Sequence, residues 1–285
     1  MIVWRDGELV PASAAISAQD RGYLIGDAVF ETILVDNGAP AFLDEHLARL
    51  QRGRIVLGIV GTLEASDVRQ AIRDLAARNA STGRAACRLT VSRVGGARGL
   101  SPSADACVQT VLSLTPAPTP PAFVRLITAS RRRWSGAAAN GFKCVGAYAD
   151  NLLARVEATE KGADEAIMLN EHGRVASASS ANVFIAADAG LQTPPLGEGA
   201  MPGVVRGVIL EEARRLGLPA IEAPIDPSML AASTIILTNS IAGAVESALD
   251  GAKRRAGAEI AAMVIAAYEH RLAGEFARDR DGAQE

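Results

Sequence analysis

Four prolines fall within the seven residues Thr115-Pro116-Ala117-Pro118-Thr119-Pro120-Pro121, and no other feature of the chain restricts its architecture as much. Proline fixes φ and removes a backbone donor, so such a stretch neither continues a helix nor sits inside a sheet. It predicts an extended interdomain linker over 116–121, an N-terminal domain over 1–115 and a C-terminal domain over 122–285. Either half is of ordinary domain size, about 100–150 residues being typical. Of the 285 residues 49% are hydrophobic and 21% charged, enough apolar material for two cores and too much for a disordered chain.

Periodicity predicts an α+β first half. Ile2-Val3-Trp4 and Glu8-Leu9-Val10 flank Asp6-Gly7 as a hairpin. Strands are expected over 29–35, 39–43, 87–92 and 107–114. Helices are expected over 44–57, capped by Asp44, and over 66–79, capped by Ser66. The second half reads as alternating α/β: helices over 151–161, 203–216 and 258–276, and strands over 165–169, 182–185 and 234–237.

Several function classes are excluded. A net charge of −3 carries no basic face for nucleic acid. Arg131-Arg132-Arg133 reads either as a strand edge or loop, or as a phosphate or substrate contact. No apolar run reaches the ~18 residues that span a bilayer, and the N-terminus lacks a signal pattern. Three cysteines without CxxC spacing, and three scattered histidines, predict neither disulfides nor a metal site. A reducing cytoplasm is the expected setting.

Lysine is nearly absent. Of 29 Lys and Arg residues only Lys143, Lys161 and Lys253 are lysines. Arginine cannot replace lysine where a neutral amine must form. Lys143 lies among small and apolar residues in Asn140-Gly141-Phe142-Lys143-Cys144-Val145-Gly146-Ala147-Tyr148, where desolvation would favour the neutral amine that Schiff-base chemistry needs. The other reading is a loop lysine reaching solvent. Gly203-Val204-Val205-Arg206 opens a helix after a Gly/Pro-rich loop, which suits an anion, although most such helices bind nothing. Arg49, in His46-Leu47-Ala48-Arg49-Leu50, reads as a phosphate ligand or a surface arginine.

Together these segments resemble the class IV aminotransferases, the fold-type IV pyridoxal-5'-phosphate (PLP) enzymes. That family includes branched-chain and D-amino acid aminotransferases and aminodeoxychorismate lyase. The resemblance runs through Arg21-Gly22-Tyr23-Leu24-Ile25-Gly26-Asp27-Ala28-Val29-Phe30-Glu31-Thr32, the His46–Leu50 motif and the Lys143 segment. It continues through Ser180-Ala181-Asn182-Val183-Phe184, Thr193-Pro194-Pro195, the Gly203 motif and Thr238-Asn239-Ser240. It implies a two-domain α/β (α+β) fold, with a smaller N-terminal α+β domain, a larger C-terminal α/β domain and PLP in the cleft. It further implies that Lys143 holds the cofactor as a Schiff base and shuttles the proton. Tyr148 would bind the cofactor's phenolic oxygen, and Arg49 with the amides of Val204 and Val205 its phosphate, beside Asn239 and Ser240. Phe30 and Thr32 would face a small amino or oxo acid. Arg98 would sit on a loop near the partner's site in a homodimer.

Two departures matter. The family usually places an acid beside the pyridine nitrogen, and Ser177 stands there. A serine supplies no charge-assisted bond to keep the ring protonated. The branch signals also conflict. The five-residue step from Lys143 to Tyr148 is similar to branched-chain transaminases, whereas Ser92-Arg93-Val94-Gly95-Gly96-Ala97-Arg98-Gly99 and Val205 are similar to the lyase. Transamination is the first expectation, 4-amino-4-deoxychorismate lyase the second, and PLP binding with little catalysis the third.

Overall fold

The computed structural model describes residues 1–96, 99–249 and 256–281. The chain divides into two compact units that do not follow chain order. The first takes Met1–Pro118, Phe142–Ala147 and the chain from Gly274, and the second takes Thr119–Gly141 and Tyr148–Ala273. The first passage between them falls inside the proline-rich stretch. Phe142–Ala147, on the C-terminal side of that stretch, nevertheless belongs with the first unit.

In the first unit the elements are β1 (Ile2–Arg5), β2 (Glu8–Pro11), α1 (Arg21–Ile25), β3 (Ala28–Asp36), β4 (Ala39–Pro40), α2 (Leu43–Leu57), α3 (Ala65–Arg78), β5 (Arg84–Val94) and β6 (Cys107–Pro116). The strands form one antiparallel sheet in the order β2-β1-β6-β5-β3-β4. Asp6 and Gly7 have φ of 48° and 101°, the positive values a tight hairpin between β1 and β2 requires. Alternation along β3 sends Val29, Ile33 and Val35 into the core. They meet Leu89 and Val91 of β5, Leu43 and Leu50 of α2, and the Val68, Ala71, Ile72, Leu75 stripe of α3.

The expected caps are corrected. α2 starts at Leu43 behind Phe42, whose φ is 51°, and no side chain caps it. Asp44 lies inside the first turn, where its charge still complements the helix dipole. α3 starts at Ala65 behind Glu64, so Ser66 is likewise internal.

The second unit contains β7 (Val124–Arg133), α4 (Ala149–Glu160), β8 (Glu165–Asn170), β9 (Val175–Ala178), β10 (Asn182–Ala187), β11 (Gly190–Thr193), α5 (Val204–Arg215), β12 (Ala220–Glu222), α6 (Met229–Ala232), β13 (Thr234–Asn239), β14 (Gly243–Leu249) and the start of α7 (Ala258–Asp281). Its sheet runs β12-β11-β10-β13-β14-β7-β8-β9. Only β11–β12, β14–β7 and β7–β8 are parallel, so the sheet is mixed. Every residue of β8 is buried. Ile167 and Leu169 enter one core with Ile185, Ile235 and Leu237, while Ala166 and Met168 pack on Ala154 and Ala158 of α4. The arginine run closes β7, so it reads as strand. Among the described residues no helix is long and apolar enough to cross a membrane.

Candidate active site

In the first unit the site is built on β3. Side chains alternate across a strand, so Phe30 and Thr32 share one face and Glu31 points to the other. The Lys143 segment is fastened to this strand. Cys144 bridges Val29, and the Phe30 amide donates to the Lys143 carbonyl at 3.0 Å. Two glycines make that contact possible. A Cβ on Gly53 would lie 2.8 Å from the Phe142 ring, and one on Gly26 would lie 2.5 Å from Gly146 Cα. Gly26 also has φ of 74°, which favours glycine. The Lys143 amine consequently stands over the Phe30 ring, 5.0 Å from its centroid.

Arg88 joins this face unannounced by any motif. It lies opposite Thr32 in the β3–β5 ladder, and its guanidinium stacks 3.5 Å from the Phe30 centroid. Its Nε donates to Thr90 Oγ1 at 3.2 Å. The signal that could have found it is alternation, which sets Arg88 and Thr90 on the same face of β5.

On the other face Glu31 is fully buried with His46 and Arg49 of α2. Arg49 Nε and Nη2 donate to Glu31 Oε1 and Oε2 at 2.7 and 2.6 Å. His46 Nδ1 lies 2.7 Å from Oε2. Burial pushes the Glu31 carboxyl up, but the bonds from Arg49 and His46 outweigh it and hold the group at about 2, against an ordinary 4.5. Burial pushes His46 below its ordinary 6.5, against the pull of Glu31. The ring is therefore neutral, and the ionised carboxylate assigns its proton to Nδ1.

Arg98 lies outside the described residues. Just after it, the carbonyls of Gly99 and Leu100 accept from Arg21 Nη1 and Nη2 at 3.0 and 2.9 Å. Arg21 and Arg93 both pair with Asp27, at 2.9 and 2.6 Å. The Arg21–Asp27 motif thus ties α1, β5 and this loop together.

The second unit holds the remaining predicted residues. Tyr148 stands directly before α4, and its carbonyl accepts from the Leu152 amide at 2.9 Å. Arg133 is held nearby, donating to the Gly199 carbonyl at 2.7 Å and to Asn151 Oδ1 at 3.3 Å. Val204 and Val205 are the first two residues of α5, behind Gly203, and no side chain caps this helix. A helix start without a cap leaves amides directed at whatever lies ahead of it. A Cβ on Gly203 would lie 2.0 Å from Asn182 Oδ1, so a side chain there would displace the Asn182 amide. Asn182 Nδ2 in turn donates to the Met201 carbonyl at 2.8 Å and fixes the approach to the helix.

Asn182 pairs with Thr238 across β10 and β13, so the two share a face. Thr238 is followed by a turn in which Asn239 Oδ1 accepts from the amides of Ile241 and Ala242 at 3.0 and 2.7 Å. That turn presents Ser240. Thr238 Oγ1 and Ser177 Oγ are both buried and lack a hydrogen-bond partner among the described residues. Ser177 stands opposite Met168 in the β8–β9 pair. A buried hydroxyl left unpaired costs roughly 1–3 kcal/mol, so each of the two has an unused hydrogen bond to offer.

The family model for amino-transferase class IV matches residues 28–247. A Methanocaldococcus jannaschii protein with a provisional branched-chain-amino-acid aminotransferase name is 30% identical over 230 residues, 79% of either chain. The aminodeoxychorismate lyase of Bacillus subtilis is 29% identical over 234 residues, 80% of this chain and 79% of its own. Among solved structures, the branched-chain aminotransferase of Thermoproteus uzoniensis with norvaline matches at a TM-score of 0.88 and 26% identity, over 96% of this chain and 95% of that one.

Proposed function

This chain belongs to the class IV aminotransferase family, whose members are PLP-dependent enzymes, and we propose that it moves an amino group between an amino acid or amine and a 2-oxo acid, with Lys143 carrying the cofactor. The residues fit PLP. The uncapped start of α5, with Gly203 leaving room in front of it, suits a phosphate. The unpaired hydroxyls of Ser177 and Thr238 suit the polar atoms of a ring and its substituents. One observation carries the reading: the Lys143 amine is held on the Phe30 face of β3, beside a stacked arginine.

PLP, when bound, supplies an electron sink that stabilises charge at the carbon bearing the amino group. The chain's residues do the rest. Lys143 holds the cofactor, takes the substrate Cα proton and returns it. Tyr148 donates to the cofactor's phenolic oxygen. Arg49 and the Val204 and Val205 amides grip the phosphate, with Asn239 and Ser240 beside it. Phe30 and Thr32 bound the substrate space, and Arg88 offers it a cation for a carboxylate. A homodimer in which Arg98 serves the partner's site, working in the cytoplasm, belongs to the same proposal.

Kinetics test it. Amino donors should bleach the visible cofactor band in the absence of acceptor, a 2-oxo acid should restore it, and steady-state lines should be parallel. Release of pyruvate from aminodeoxychorismate with no acceptor would replace transamination by the lyase reading, which the Bacillus subtilis likeness favours. A normal band without turnover of any donor would leave a PLP-binding protein with little catalysis.

Two substitutions probe the cofactor's ends. Gly203→Ala should displace Asn182 from the Met201 carbonyl and weaken PLP binding about fivefold, the worth of one ~1 kcal/mol hydrogen bond. Equilibrium dialysis measures it, and unchanged affinity would put the phosphate elsewhere. Ser177→Asp should restore a charge-assisted bond to the ring nitrogen. Such a bond exceeds a neutral one by roughly 1–1.5 kcal/mol, so proton removal in a single half-reaction should quicken about tenfold. A stopped-flow rate equal to wild type would move Ser177 away from the ring nitrogen.

A further inference from the structure

Helix α2 buries Leu43, His46, Arg49, Leu50, Gly53 and Arg54. Positions at this spacing ordinarily carry apolar side chains facing a core. His46, Arg49 and Arg54 depart from that, and β3 answers the first two with Glu31. Glu31, His46 and Arg49 are each at most 2% exposed. Stability does not account for such a trio, because well-packed apolar side chains of similar volume avoid its desolvation cost.

Its geometry suits another task. Glu31 takes the Nε and Nη2 edge of Arg49 with one oxygen each, a bidentate fork that fixes the guanidinium plane. The His46 Nδ1–H loads the same Oε2, so the carboxylate is held from two directions. Glu31 also cancels the charge of Arg49, which leaves an oriented donor with little net field.

We propose that Glu31 and His46 are positioning residues that orient Arg49 for the cofactor's phosphate, so that selection of phosphorylated over unphosphorylated cofactor depends on a carboxylate that never touches it. This rests on the reading above that Arg49 grips the phosphate. Positioning partners of a ligating group typically alter affinity by about 10–100-fold when lost, as they do around metals.

The test compares PLP with pyridoxal, which has the same ring and aldehyde but no phosphate, by titrating the cofactor-free protein with each. Wild type should prefer PLP strongly. Glu31→Gln replaces one acceptor oxygen by an amide that cannot accept, and should weaken PLP about tenfold, equivalent to ~1.4 kcal/mol. Pyridoxal affinity should stay within about twofold. The triple variant Glu31→Leu, His46→Leu, Arg49→Met keeps the volume apolar, and should lose at least about tenfold of the wild-type preference for PLP, the remainder being kept by the α5 amides. Equal weakening of both ligands by Glu31→Gln would mean that the carboxylate only holds the fold, and would overturn the proposal. So would unchanged or tighter PLP binding, or a triple variant that keeps the wild-type preference. A wild type with no preference for PLP would instead remove the phosphate reading of Arg49 itself.

Discussion

Lys143→Ala is expected to abolish covalent cofactor attachment and to lower turnover by roughly 10²–10⁴-fold, the range that a positioned proton-transfer group contributes. The sequence makes this test unusually clean, because the chain has three lysines. Lys161, exposed just after α4, pairs with Glu157 at 2.7 Å, and Lys253 lies outside the described residues. Borohydride treatment followed by peptide mass analysis should therefore place the reduced adduct on the peptide carrying Lys143. Lys143→Arg separates two roles of that side chain. It keeps a cation over Phe30 but supplies no neutral amine at any accessible pH. It should be as inactive as Lys143→Ala while preserving more of the unit's stability. An adduct on Lys161, or an active Lys143→Arg enzyme, would remove Lys143 from the mechanism.

The candidate site is legible in the sequence where the proposed chemistry demands a rare residue in a local pattern. A lysine where arginine is the rule marked Lys143, and a glycine opening an apolar helix marked Val204 and Val205. Period two along 29–35 gave β3, and its alternation set Phe30 apart from its neighbours. What was not legible depends on partners distant in sequence. Nothing local shows that Phe142–Ala147 returns to β3, since that rests on a bridge to Val29 and on two glycines that let backbones touch. Arg49 was readable as a phosphate ligand, yet its pairing with Glu31 arises only when α2 packs on β3. Arg88 was passed over because one exposed arginine in a strand looks like any other. β7 was hidden by the arginine run that ends it, and β9, Val175-Ala176-Ser177-Ala178, by side chains too small to signal a strand. The helix starts differ from the sequence expectation because Asp44 and Ser66 are good caps by type, while the backbone turns two residues earlier, at Phe42 and Glu64.

Acid should destabilise the first unit through Glu31 more than through its exposed carboxylates. The folded group titrates at about 2 against an ordinary 4.5. A depressed carboxylate contributes stability that is fully present above the unfolded value and is lost as pH falls through the folded one. The window therefore opens near pH 4.5 and closes near 2. The shift corresponds to about 3 kcal/mol in full and about 2 kcal/mol by roughly pH 3. His46 acts in the same direction from higher pH. Burial holds its folded value below 6.5, so the unfolded chain takes up a proton first and stability starts to fall below that pH. Denaturant titrations at about pH 7 and pH 3, on wild type and on the triple apolar variant of Glu31, His46 and Arg49, isolate the effect. Wild type should lose at least about 2 kcal/mol more than the variant between the two pH values, Glu31 supplying that much and His46 adding to it, and at neutral pH the variant should be no less stable than wild type. Equal acid sensitivity would mean that Glu31 titrates alike in the folded and unfolded chain. In that case the fork with Arg49 would not be charge-assisted, and its power to orient the guanidinium would fall with it.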